Sequence, residues 1–592
     1  MKQFQKIGVA AAVASVAAGA VATEVSRSET GDLAIVPYYT VMDGTNTGIH
    51  IINTTDSTQV VKVRLRRGTD SKDAMDFNLV MSPRDEWTAN IGAGGANGVL
   101  INTNDTTCTV PEFPAGGAPM PPTFADGATE GYLEIIGMAQ TIDEKQPIAV
   151  AAKHAKGVPA DCAAVRSNFY RVAAETAAGA AIPGVDATVR GTHTSALTSV
   201  GSKLGCSATA TTTGACKAGA DANLSKYTDT DDNAFKVSFM LTDPAGGLEA
   251  GDNAVMIEGF SSAPMMTNQQ PLSFGTDGKL NYDPINFELP NLAYGAYTSS
   301  DAKRKADMDA TLTDGSMWTA FASAIDADAI ANDWAAFDTA DASVNADWIV
   351  TLPGQYVMTN PICDIYADYP EANATAAAAC VAATSTAAAA AVKAYVLAGG
   401  DDRNQLPLLV ASNVDGGSLV TGSNMNLWDR EELSLAGKET EKEPEEEELG
   451  FSPNGSTGDP ADPDINVLLP YEVNVIAFGT AEETSAVMSD LKLTVTPDGA
   501  DRGWGRLDIE STVAASKQQV WSVAVGDAVG GEDDGDLVPS LGGNVGSWTA
   551  NTASNIGVVG FAVWQRSFAE QAGNYGRMVE HSTIFSSGST QR

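Results

Sequence analysis

The chain has 592 residues, too many for one hydrophobic core, and 43% of them are hydrophobic, enough for several globular units. Its 75 Asp and Glu against 35 Lys and Arg give a net charge of −40, which argues against direct binding to nucleic acid or to an anionic lipid surface. The same acidity attracts divalent cations, since hard cations take carboxylate oxygens.

The first residues, MKQFQKIGVAAAVASVAAGAVA, follow the order of an export signal. Lys2 and Lys6 form a basic start, Ile7 to Val16 an apolar run, and Ala20-Val21-Ala22 an A-x-A site. Cleavage before Thr23 is expected, and loss of the two lysines takes the net charge from −40 to −42. The apolar run is too short for an anchor, and no later segment reaches the roughly 18 consecutive apolar residues of a membrane span.

From residue 31 to 155 the chain reads as short strands: GDLAIVPYYTV, GIHII, VVKVRLRR, DAMDFNLVMS, DEWTANIG, GYLEIIGMA and QPIAVAAKHA. In GIHII, Ile49 and Ile51 share one face and His50 takes the other. In VVKVRLRR, Val61, Val63 and Leu65 oppose Lys62, Arg64 and Arg66. Period two marks half-buried strands and puts His50 and the three cations on a polar face. GAGGANG, Gly92 to Gly98, predicts a tight turn after a strand and matches no phosphate-binding loop.

CAAVRSNFYRVAAETAAG then reads as a helical insertion, and residues 193–233 as a long loop rich in small polar residues. AFKVSFMLTD, NAVMIEGF and INFELPNL return to strand texture. SSDAKRKADMDATL and WTAFASAIDADAIANDWAAF have helical spacing, DWIVTLPGQYVMT is a strand, and the Ala-rich run around Cys380 is a second helical insertion. After an acidic, Pro/Gly-rich connection, NVLLPYEVNVIAFG, DLKLTVTPDG, GWGRLDIES, QQVWSVAVG and NIGVVGFAVWQRSF are strands again. Short strands with helices confined to insertions predict a mainly β fold: a multidomain β-sandwich-like (Ig-like) architecture with helical and long-loop insertions. The expected divisions are a signal peptide at 1–22 and an N-terminal β-rich part at 23–295, with an insertion near 156–233. A mixed region with helical insertions follows at 296–437, then the acidic connection at 438–466 and a C-terminal β-rich region at 467–592.

The six cysteines are Cys108, Cys162, Cys206, Cys216, Cys363 and Cys380, and none forms a C-x-x-C pair. An even count in an exported chain points to disulfides rather than to zinc or a redox motif. Cys206–Cys216 and Cys363–Cys380 are favoured because each brackets a short segment, which leaves Cys108–Cys162.

Catalytic signatures are absent: there is no H-E-x-x-H and no G-x-S-x-G, so no enzyme is expected. None of the four histidines, His50, His154, His193 and His581, has a metal- or nucleophile-partner spacing, and replacing all four by Gln is expected to leave the fold largely intact. Three acidic clusters are candidate Ca²⁺ ligands: Asp229, Asp231 and Asp232; Asp459, Asp462 and Asp464; Asp533, Asp534 and Asp536. The first begins like an EF-hand loop but has Ala234 where glycine is required. Glu443 to Glu448 reads as a solvated charge run.

The phrases GDLAIVPYYTV, DWIVTLPGQYVMT, LPYEVNVIAFG and GVVGFAVWQRSF, in an acidic, His-poor chain, resemble those of the surface-layer (S-layer) proteins of marine gammaproteobacteria. The resemblance implies export to the outer face of the outer membrane and self-assembly into a two-dimensional lattice, with cations bridging copies. The acidic clusters suggest that divalent cations also bridge the chain to lipopolysaccharide. It supplies no site residues. A surface adhesin or ligand-binding protein is the alternative expectation, and a secreted hydrolase the third.

Overall fold

In a computed structural model, the chain is described over residues 23–169 apart from 70–72, 96–97 and 121–126; 221–266 apart from 222–223, 244 and 246; 290–292; and 316–353 apart from 340. Further along, the described segments are 410–411, 421–430, 434–435, 437–438, 454–455, 465–469, 471–479, 485–497, 500–509, 520–522, 547–549, 557–568 and 575–584. The expected signal peptide, the SSDAKRKADMDATL helix and the Ala-rich insertion lie outside these residues.

The described chain is mainly β and forms two sandwich-like units. In the first, an eight-stranded sheet has Glu130–Thr141 at its centre, with Leu33–Thr40 on one side and Gln59–Arg67, then Asp73–Met81, on the other. It packs on a six-stranded sheet built around Asn46–Asn53, Glu86–Ala93 and Phe235–Asp243. Phe77 of one layer meets Trp87 of the other at 5.7 Å between ring centroids. Asn46–Asn53 alternates between buried and half-buried residues, with Ile49 and Ile51 inward and His50 outward, as the pattern predicts. The GAGGANG segment is a turn closed by the Gly94 N–H on the Gly98 carbonyl, with Gly95 and Gly98 at positive φ.

Gln59–Arg67 departs from the expected half-burial, because every one of its residues is buried. Lys62, Arg64 and Arg66 are 0% exposed. The strand is central in its sheet, and its cation-bearing face is covered: Arg64 donates to the Pro290 carbonyl at 2.8 Å, and Asn291 and Leu292 are fully buried. Neighbouring strands provide the counter-charges. Lys62 Nζ lies 3.3 Å from Asp76, Arg66 Nε 3.2 Å from Glu134 Oε1, and Arg64 Nε 3.9 Å from Glu134 Oε2. Alternation had reported the two faces correctly but not that both are inside.

Two helix assignments change as well. QPIAVAAKHA holds a short helix, Pro147–Ala152, with Pro147 in its first turn, where a missing N–H does no harm. In WTAFASAIDADAIANDWAAF only the first part is helical, within Ser316–Ala324, while Ala329–Asp338 is a strand. Tertiary packing overrides the helical spacing there: Trp334 is 0% exposed and stacks on Phe478 at 5.8 Å.

The second unit is a thirteen-stranded sheet that folds over on itself around one core. Ala329–Asp338, Thr421–Asp429, Ile465–Leu469 and Arg502–Asp508 face Ala342–Thr351, Val473–Phe478, Lys492–Pro497 and Val559–Phe568 across Trp334, Trp348 and Phe478. Residues 329–351 thus share a sheet with the C-terminal strands. Ala342–Thr351, Val473–Phe478 and Val559–Phe568 are buried on both faces. Trp348, Ile476 and Ala562 point into this core, while Ile349, Val475 and Phe561 point into the core of the first unit. Phe239 meets Phe561 at 5.5 Å across that junction. Each such apolar side chain stabilises the packing by about 1.5–3 kcal/mol.

Cys108 and Cys162 form a disulfide with Cα atoms 5.2 Å apart, tying a sheet-edge strand to the short helix Cys162–Arg166. The favoured pairs, Cys206–Cys216 and Cys363–Cys380, lie outside the described residues. The bridge spans 54 residues, for which loop closure predicts about 4 kcal/mol. Replacing Cys108 and Cys162 together by Ser should lower the unfolding free energy of the first unit by about 2–4 kcal/mol in urea titrations. Glu134→Gln, which leaves Arg64 and Arg66 without their shared carboxylate, should lower it by about 3–5 kcal/mol.

Candidate functional site

Among the described residues, no three His, Cys, Asp or Glu side chains gather as a metal ion would require. Asp229, Asp231 and Asp232 sit on the turn between Tyr227–Thr228 and Phe235–Asp243. Two of them take separate partners: Asp231 accepts from Gln140 Nε2 at 2.8 Å, and Asp229 from the Thr228 hydroxyl at 2.9 Å. Burial raises the pKa of Asp232, and repulsion from Asp229, Glu258 and Asp231 adds to the rise. Asp459, Asp462, Asp464, Asp533, Asp534 and Asp536, like the run Glu443 to Glu448, lie outside the described residues.

The histidines divide. His50 Nε2 pairs with Glu86 at 3.1 Å on the polar face, and His193 lies outside the described residues. His154 contacts Ser82 and Thr106 at 3.3 Å each and Asp85 at 3.5 Å. His581 is buried in the core, which nothing in its sequence neighbourhood indicated. Its Nε2 meets the Ile349 carbonyl and its Nδ1 the Asn332 side-chain amide, each at 3.0 Å, and its ring lies 5.2 Å from Trp348. This tautomer donates at Nε2 and accepts at Nδ1. Burial therefore lowers its pKa from 6.5 to about 4.

Two features are built more elaborately than packing alone requires. The first is a joint between the two units. The loop at 485–491 grips a buried carboxylate from each: Ser485 Oγ and the Val487 N–H donate to Asp347 at 2.7 and 3.0 Å, while Ser489 Oγ and the Asp490 N–H donate to Glu130 at 2.6 and 2.9 Å. Tyr38 OH adds a third bond to Glu130 at 2.8 Å. Around them the Thr351 hydroxyl donates to the Pro37 carbonyl at 2.6 Å and the Val473 N–H to the Gly68 carbonyl at 2.9 Å. Desolvation raises the pKa of Glu130, against the pull of its donors, and that of Asp347 to about 6. Asp32, which accepts from the Phe260 and Ser261 N–H groups, is raised by burial to about 7. No sequence motif marks Glu130 or Asp347, because the loop that supplies donors to each lies more than a hundred residues away in the chain.

The second feature is a groove of about 480 Å³ on the C-terminal unit. Trp334 and Val344 line it, Trp504 and Trp564 flank it, and Arg430, Arg502, Arg566 and Arg577 outnumber Asp333 and Asp429. Trp504 stacks on Trp428 with centroids 4.1 Å apart and planes 14° off parallel. The Arg577 guanidinium lies 4.2 Å from the centre of the Trp564 ring and 3.4 Å from Asp333. Strand register assembles these contacts: Trp428 lies opposite Trp504, Trp504 opposite Asp333, and Trp564 opposite Arg577. Gly503 is required here, because a Cβ at this position would collide with the Trp428 carbonyl. Sequence reading passed over this groove because its residues come from six separate strands. The alternation in GWGRLD was the available signal.

The shifted groups set opposing pH dependences. Asp347 is raised in the folded state, so its contribution is fully present below about pH 4 and is lost as pH rises through about 6. His581 is lowered, so its contribution is present above pH 6.5 and is lost as pH falls towards 4. In urea titrations from pH 7 down to pH 4, the native protein should gain on Asp347→Asn by about 2–3 kcal/mol. Over the same range its advantage over His581→Gln should shrink by a similar amount. Parallel curves for Asp347→Asn would show that this carboxyl is not held neutral. No protein-family model matches the chain, and no curated protein or solved structure is detectably similar to it.

Proposed function

We propose that the protein is a structural surface-layer protein, exported and assembled into a two-dimensional lattice on the outer face of the outer membrane. The observation that carries the reading is the joint. A lattice subunit must hold its parts in one fixed orientation, and here two β units share a core, and a loop of the second, anchored on its own Asp347, hydrogen-bonds Glu130 of the first. The mainly β architecture supports this, and so do the described parts of the S-layer-like phrases, which lie largely on strands. No described helix is long and apolar enough to cross a membrane. The reading assigns the chain no catalysis.

Ca²⁺ is the proposed link between copies, and between copies and lipopolysaccharide. A net charge of −40 makes copies repel at contact, where salt does not screen them. An oxygen shell completed by two neighbours removes that repulsion and needs no complete site within one chain. A second reading, a ligand-binding surface protein, is favoured by the groove alone.

Chelation should release soluble protein from cells, and Ca²⁺ should restore ordered sheets, seen by electron microscopy, better than NaCl at equal ionic strength. Mg²⁺ should restore them less well, because it demands a tighter octahedral shell. Identical sheets formed in excess chelator would remove the cation from the account.

A further inference from the structure

We propose that the arginine–tryptophan groove binds an acidic saccharide, a pyranose ring that carries a carboxylate. The first argument is charge. Acidic residues outnumber basic ones 75 to 35 in the whole chain, yet the groove is lined by four arginines and two aspartates. Local inversion against so acidic a background is expected where an anion must be received. The protein's overall repulsion of anions is screened beyond roughly 8 Å at physiological salt, so at contact the nearby guanidinium groups decide. Arginine meets a carboxylate with a planar fork of two donors, which fixes orientation as well as charge.

The second argument is the aromatic surface. Trp504 is 43% exposed even though one face is taken by Trp428, so its other face is a flat apolar platform on the groove. The C–H face of a pyranose ring packs on such an indole, while its hydroxyls remain available to polar neighbours. Arg577 is held in place between the Trp564 ring and Asp333, so less side-chain freedom is lost when it meets a ligand. The Trp564 indole N–H is buried and makes no hydrogen bond, and an oxygen-rich ligand offers acceptors beside it. The third argument is size. A volume of about 480 Å³ lies within the usual small-ligand range of about 300–1,000 Å³ and suits a short saccharide rather than a folded partner.

The test uses the full mature chain in excess chelator, where the lattice reading predicts dispersed molecules. Failure of one proposal therefore does not imply failure of the other. Digalacturonate, neutral cellobiose and the peptide EPEEEE, which copies Glu443 to Glu448 of this chain, are titrated by calorimetry and tryptophan fluorescence. Digalacturonate should bind and change the fluorescence, cellobiose should bind at least about tenfold more weakly, and Trp504→Ala should weaken digalacturonate by about tenfold or more. Arg577→Gln and Arg502→Gln, at exposed positions, should weaken it similarly with unchanged Tm. These two variants decide the matter if Trp504→Ala disturbs folding. No digalacturonate binding below about 10 mM, or equal binding of cellobiose, overturns the proposal. Preference for the peptide overturns it too, and makes the groove a docking site for acidic protein segments.

Discussion

The fold depends on two carboxylates being taken out of water at one place. Glu130 opens a strand of the first unit, Asp347 lies within a strand of the second, and the loop at 485–491 supplies donors to both. A buried carboxylate without donors is strongly unfavourable, so each acid selects the geometry in which its donors arrive. Apolar contacts across the shared core provide most of the attraction but tolerate sliding. The directional bonds to Glu130 do not, and they fix the orientation of one sandwich on the other, while Asp347 holds in place the loop that makes them. Raised pKa values at these acids follow from the same desolvation that gives the joint its specificity.

Charge is distributed unusually between inside and outside. Lys62, Arg64 and Arg66 are wholly buried with Asp76 and Glu134, so three of the 35 basic residues are withdrawn from a surface that is already acidic. Buried ion pairs contribute little net stability compared with apolar residues of the same shape. Their effect is on register: sliding the Gln59–Arg67 strand by one residue would leave three cations facing the apolar core. The exterior is then free to be anionic, and an anionic exterior makes copies of the chain repel one another. Against that exterior the arginine–tryptophan groove is a local exception, built from cross-strand pairs on a rigid sheet rather than from a loop.

Rigidity and the groove bear on function differently. A fixed joint makes the two units one block, as the proposed lattice role would require. A groove with a stacked tryptophan pair and a pinned arginine has its side chains already ordered, which would lower the entropic cost of binding the proposed ligand. Both properties can coexist in one chain, because the joint lies between the units and the groove on the second unit alone.

Local pattern was enough to determine that the chain is a mainly β protein, where most of the described strands run, and that His50 points outward. Period-two alternation and turn residues are properties of a few neighbours, so they survive translation into structure directly. Continuous apolar phrases such as NVIAF and GVVGFAV already marked strands, though not that each faces a different core on either side. Tertiary structure alone decided that Lys62, Arg64 and Arg66 are buried, that IDADAIANDWAAF is largely strand, and that His581 belongs to the core. It alone brought Glu130 to Ser489 and Trp428 to Trp504. Burial on a second face, and contacts between residues tens to hundreds of positions apart, depend on what other segments cover a strand, and no local period records that.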